Sequence, residues 1–135
     1  MSISPWVDLT LTNETYTSNA DRDRLLSRPL AEFFRSSWLE GTSVGWDDPR
    51  VNLLAADLSG LPPIAVFWGT EELLAGEDAE FARRAEAAGN DVLVRAVEEG
   101  QHSFIIGAGR VPEVDEAIAE IGSWLRSKLG SKLGR

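Results

Sequence analysis

Five consecutive apolar residues, Ile64-Ala65-Val66-Phe67-Trp68, set between Pro62-Pro63 and Gly69-Thr70, constrain this chain more than any other feature. A strand with one wet face alternates apolar with polar. This run is apolar on both faces, the pattern of a central parallel strand covered by helices on each side. The prolines before it fix an extended entry where no ladder donor is needed. Val92 to Val97 is a second strand-like run, β-branched and mostly apolar. Between the two, Phe81, Ala85 and Ala88 recur at helical spacing, acids crowd the first turn after Glu77, and Gly89-Asn90 stops the helix. Beyond the second run, Pro112 suits a first helical turn, and Val114, Ile118, Ile121 and Leu125 form a buried stripe that Trp124 widens. The order strand, helix, strand, helix predicts an α/β fold with parallel strands and a right-handed crossover.

The N-terminal part is less regular. Ser4 to Leu9 alternates in part and reads as the end of a strand whose earlier part is missing. Asn13 to Asn19 is polar and turn-rich, and Asp21 to Glu40 carries Leu25, Leu26, Leu30, Phe33, Phe34, Trp38 and Leu39 at helical spacings broken by Pro29, predicting one or two helices. Gly41 to Asn52 reads as a loop. Ser127 to Arg135 repeats Ser-Lys-Leu-Gly and is expected to be a flexible tail, leaving residues 1–126 as the folded part. Two parallel strands are too few to protect their edges, so the sheet is expected to be incomplete. Its missing neighbours would come from another chain, a second copy or a segment outside this sequence.

Composition narrows the function. A chain of 135 residues suits one domain, and the apolar share of 43% with 26% charged residues is that of a packed globular protein. Twenty-two acidic residues against 13 basic ones give a net charge of −9, which argues against a nucleic-acid partner. No apolar stretch approaches the ~20 residues that span a bilayer, and no basic-then-apolar leader is evident, so the default expectation is cytoplasmic. Without cysteine and with one histidine, disulfides, thiolate metal sites and histidine-rich metal sites are excluded within the chain. No cofactor or metal is expected.

The single histidine, His102, lies in the loop Glu98-Glu99-Gly100-Gln101-His102-Ser103-Phe104 after the second strand, and Thr70-Glu71-Glu72 follows the first. A carboxylate and an imidazole at successive strand ends suit an acid that orients a base. Four segments then carry a resemblance: Ser4-Pro5-Trp6-Val7-Asp8-Leu9-Thr10, Asp57-Leu58-Ser59-Gly60-Leu61-Pro62-Pro63, Gly69-Thr70-Glu71-Glu72-Leu73-Leu74 and His102-Ser103-Phe104. In this order and spacing, residues 4 to 126 resemble the C-terminal half of an α/β-hydrolase of the hormone-sensitive-lipase-like carboxylesterase family. The resemblance implies a partial α/β-hydrolase fold, a C-terminal β-α-β-α unit preceded by cap-side helices. It also implies an acid at Glu72, where most relatives carry aspartate, and a base at His102 of a His-x-Phe loop. Glu71 is the neighbouring alternative to Glu72, and Asp78 lies one helical turn later. A plainer reading has Glu72 capping the helix near Glu77 and His102 as an ordinary loop residue.

The family's Gly-rich oxyanion loop and Gly-x-Ser-x-Gly elbow, which belong to its N-terminal half, are not matched. Gly41-Thr42-Ser43-Val44-Gly45 fits the elbow literally, but a helix-like stretch precedes it and the turn Trp46-Asp47-Asp48-Pro49 follows, where an elbow needs a strand and then a helix. Ser43 is therefore read as a loop serine. Three of the five tryptophans lie on expected core faces, so burial explains them more economically than a sugar platform, and Asp47-Asp48 and Glu98-Glu99 lack the alternating spacing of a calcium loop. The expectation is thus the acid-and-base portion of a serine esterase for short-chain acyl esters, inactive alone. The alternative is a non-catalytic assembly module, pairing with a second copy or a complementing chain through the Val92–Val97 edge and the last helix.

Overall fold

A computed structural model describes residues 1–130. Three strands, β1 (Ser2–Ile3), β2 (Ile64–Gly69) and β3 (Val92–Val97), form one parallel sheet in the order β1-β2-β3. The helices are α1 (Thr15–Ser18), α2 (Arg28–Trp38), α3 (Ala75–Ala87) and α4 (Pro112–Leu129), with a 3-10 turn at Phe104–Gly107.

The two-sided apolarity of β2 has a direct structural cause. Val66 and Trp68 pack on one face with Phe81, Ala82 and Ala85 of α3. Ala65 and Phe67 pack on the other face with Val114, Ala117 and Ile121 of α4. Alternate side chains of one strand therefore feed two cores, as the period of two requires. A third cluster, Leu11, Tyr16, Ala31, Leu73 and Leu74, packs α1 and α2 against the segment that joins β2 to α3.

Several expectations need correction. Among the described residues the sheet has three strands, not two, because the chain's own Ser2 and Ile3 pair with Val66 and Phe67 on the far side of β2. The ladder extends one bond further, with the Ser4 amide donating to the Phe67 carbonyl at 2.7 Å. The strand thus precedes Ser4-Pro5, and the segment after it is irregular. In the stretch from Asp21 to Glu40 only Arg28–Trp38 is helical, because Pro29 sits in the first turn and Ser27 caps it, accepting from the Leu30 amide. Proline begins that helix instead of breaking it. A single helical turn, Thr15–Ser18, occupies the segment expected to be turn-rich. Helix α4 continues through Leu129, past the boundary expected after residue 126. The rest of the expected tail, 131–135, lies outside the described residues.

Two features of this framework set the site. At the end of β2, a Cβ on Gly69 would lie 2.2 Å from the Gly100 carbonyl oxygen, so the loop after β3 rests directly on this glycine. At the start of α3, Glu77 and Asp78 are fully buried. Glu77 is satisfied: it accepts from the Val7 and Asp8 amides at 3.0 and 3.2 Å and from the Tyr16 hydroxyl at 3.1 Å. Burial still pushes its carboxyl up to about 8. Neither oxygen of Asp78 has a partner among the described residues. Burial first, and then the charges of Glu72 and Glu77, push its carboxyl up to about 10, so it is held protonated.

Two outcomes are expected. Gly69→Ala forces the 98–102 loop away and costs about 1–3 kcal/mol, read as a lower urea midpoint; an unchanged midpoint contradicts the close approach. Folded Asp78 keeps a proton that an unfolded aspartate loses near pH ~4, so stability declines as pH rises from there toward the folded value. Asp78→Ala removes that contribution, leaving the share due to Glu77, and raises stability at neutral pH by about 1–3 kcal/mol. Denaturation curves at several pH values measure both effects.

Candidate active site

Because β2 and β3 are adjacent and parallel, from Ile64↔Val92 to Gly69↔Val97, their following loops leave the same end of the sheet. Backbone bonds lash those loops together. Thr70 donates to Val97 O at 3.0 Å, Glu71 donates to Gly100 O at 3.0 Å, and the Glu99 amide donates to the Thr70 hydroxyl at 3.0 Å. The loops thereby bring Glu72 and His102 together: Nδ1 of the imidazole lies 2.8 Å from Oε2 of the carboxylate.

Glu72 is fully buried, while the His102 side chain is 24% exposed. The other carboxylate oxygen, Oε1, accepts from the Gly69 amide at 2.7 Å and from the Ser4 hydroxyl at 3.1 Å. Burying a carboxylate is costly unless its oxygens are bonded, and here both are. An ionised carboxylate only accepts, so the contact to His102 requires the ring proton on Nδ1 and leaves Nε2 as the basic nitrogen. Among the described residues, no hydrogen bond engages Nε2.

The alternatives fall elsewhere. Glu71 forms an ion pair with Arg22. Asp78 makes no bond to His102 and is buried within the first turn of α3. The side chain of Glu72 does not cap α3, whose cap position is Leu74 and carries no side-chain bond. Ser43 is exposed in irregular chain after α2, without the flanking strand and helix of an elbow. Asp48 is held by Arg50 at 2.7 Å, which lowers its carboxyl to about 2. Among the described residues, no group of three or more histidine or acidic side chains could hold a metal ion. Of the tryptophans, Trp68 is buried, Trp6 and Trp124 are half-buried, and Trp38 and Trp46 are exposed.

Three polar residues that sequence reasoning passed over support the site. Asn19 donates to the carbonyls of Thr70 and Glu72 at 3.0 and 2.9 Å. Asp23 accepts from the Leu73 amide at 2.8 Å. Ser4 joins Glu72 to the His102 loop, since its hydroxyl also accepts from the Ser103 amide at 3.2 Å. Gln101 ties the His102 loop to the 19–26 segment that carries Asn19 and Asp23, accepting from the Arg24 amide at 2.6 Å and donating to Arg22 O at 3.1 Å. Only the polarity of Asn19, closing a turn-rich segment, and of Asp23, opening a helix-like one, hinted at such a role.

Beside His102 is a mostly apolar cavity of about 300 Å³, lined by Ser4, Trp6, Leu26, Ala31, Phe34, Leu74 and His102. An imidazole at the wall of an apolar recess can move a proton to or from a group bound there.

Comparison with known proteins places the fold. Residues 1–106 match a family described as having the α/β-hydrolase fold. An esterase of Acinetobacter venetianus is 33% identical over 125 residues, 93% of this chain and 41% of that protein. An acetyl-hydrolase of Streptomyces hygroscopicus is 31% identical over 134 residues, 97% of this chain and 43% of that one. The crystal structure of an esterase from the bacterial hormone-sensitive lipase family superposes with a TM-score of 0.88 at 34% identity, covering 95% of this chain and 42% of that one. The chain thus spans less than half the length of the relatives that it matches. It belongs to the α/β-hydrolase fold family, homologous over part of their length to the esterases of the hormone-sensitive lipase type.

Proposed function

We propose that this chain is the acid-and-base portion of a serine carboxylesterase for short-chain acyl esters, with His102 as general base and Glu72 as the acid that orients it. The observation that carries the reading is the 2.8 Å contact between His102 Nδ1 and the buried Glu72 carboxylate. The nucleophilic serine and the oxyanion donors come from a segment other than these 135 residues. His102 Nε2 takes the proton of that serine as its oxygen attacks the ester carbonyl, and returns the proton to the departing alcohol. Water then attacks the acyl-enzyme as Nε2 takes its proton, and that proton passes to the departing serine oxygen as the carboxylic acid is released. Glu72 holds the Nδ1 proton in place and stabilises the imidazolium at each stage. The apolar cavity beside His102 supports small acyl or alcohol groups as the bound part. The names of the relatives, esterase and acetyl-hydrolase, point the same way.

A second reading rests on one observation. Strand β3 ends the sheet, and Val94 in its middle is 45% exposed. A second copy or a complementing chain pairing there would cover the open backbone edge. Light scattering at micromolar concentration separates the cases: a dimer or larger species supports edge assembly, and a compact monomer counts against it.

For the esterase reading, the chain alone does not hydrolyse p-nitrophenyl acetate or butyrate, and adding a segment with the Gly-x-Ser-x-Gly elbow and its oxyanion loop restores turnover. In the completed enzyme, Glu72→Gln lowers kcat by about 10²–10⁴-fold, and Ser43→Ala leaves it unchanged. Turnover by the chain alone that Ser43→Ala abolishes would overturn the division of labour.

A further inference from the structure

Among the non-glycine residues with positive φ at this end of the sheet are Ser4 and Ser103, at 47° and 56°. Strain of this kind persists only where the surroundings enforce it. The two meet: the Ser103 amide donates to the Ser4 hydroxyl at 3.2 Å, and that hydroxyl donates to Glu72 Oε1 at 3.1 Å. Ser4 is itself 5% exposed, and its backbone amide is fixed to Phe67 O, so its position is set by the sheet.

We propose that Ser4 is a positioning residue of the Glu72–His102 pair, its single hydroxyl locking the carboxylate rotamer and anchoring the base loop at the same time. This inference rests on the function proposed above. With the Gly69 amide and the Ser4 hydroxyl both on Oε1, the carboxylate has one orientation that satisfies every donor, and that orientation turns Oε2 to the imidazole. The Ser103 bond fixes the residue next to His102, so ring and carboxylate share one reference point, the end of β1. Ser4 does not act as the nucleophile in this arrangement, because its proton is committed to Glu72 and its oxygen bonds the Ser103 amide, not the imidazole.

The test uses the fact that the chain holds one histidine. A ¹⁵N-histidine-labelled sample gives one ring system, whose nitrogen shifts report the tautomer and whose Nδ1 proton reports the bond to Glu72. At alkaline pH, the unsubstituted chain is expected to show the Nδ1-protonated tautomer with a downfield, slowly exchanging proton. Glu72→Gln abolishes that signature. Ser4→Gly accepts the positive φ without strain, so the fold persists, yet the Nδ1 proton exchanges with water about tenfold faster, the value of one hydrogen bond. The nitrogen shifts move toward a mixture of tautomers. Ser4→Ala behaves like Ser4→Gly, because the hydroxyl and not the backbone freedom is responsible. If Ser4→Gly leaves the ring signals unchanged while Glu72→Gln abolishes them, Ser4 has no positioning role and the acid–base reading stands. If Glu72→Gln also leaves them unchanged, both fall.

Discussion

The buried carboxylate of Glu72 is the group on which the rest of this end of the molecule depends. A carboxylate removed from water is tolerated only when its oxygens find donors. Gly69, Ser4 and His102 provide them from three separate parts of the chain: the end of β2, the end of β1 and the loop after β3. Meeting that requirement forces three strand ends to converge, and the convergence is what makes the arrangement usable as a proton relay in the proposed function. Removing any one donor leaves charge in a place that water does not reach.

The parallel sheet makes such a convergence cheap. Adjacent parallel strands in register deliver their following loops to one edge, so Glu72 after β2 and His102 after β3 become neighbours without a long excursion of chain. The absence of a side chain at Gly69 then lets the second loop lie against the first strand. The Asn19–Leu26 strap closes over both loops, with Asn19, Arg22 and Asp23 on the Glu72 side and Gln101 reaching it from the His102 side. Its continuation into α2 contributes Ala31 and Phe34 to the cavity beside the imidazole. The same segment therefore braces the pair and shapes the space that a substrate would fill.

What the sequence discloses here follows from the range of the interactions involved. Strand β2 is legible because burial on both faces leaves five apolar residues in a row, and α3 and α4 are legible because each shows one face to a core. Glu72 and His102 emerge from their places at strand ends together with the family resemblance. Strand β1 is obscure because two residues, Ser2 and Ile3, are too few for any periodicity. Ser4, Asn19 and Asp23 are obscure for a different reason. Their partners lie 99, 53 and 50 residues away, so their value exists only after folding. Pro29 shows that one residue has two local meanings, breaker or first-turn former, and the Ser27 cap decides between them.

Active-site labelling separates a chain that carries the base and its orienting acid, with the attacking serine on another segment, from one that holds its own nucleophile. An alkyl fluorophosphonate, which reacts only with a serine activated by its histidine, is applied to the complemented enzyme and the adduct is mapped by mass spectrometry. The proposed division of labour predicts one adduct, on the serine of the added Gly-x-Ser-x-Gly elbow, lost when His102 is replaced by alanine. An adduct on Ser43 or Ser4 of this chain, or one on the elbow that forms equally well without His102, contradicts it.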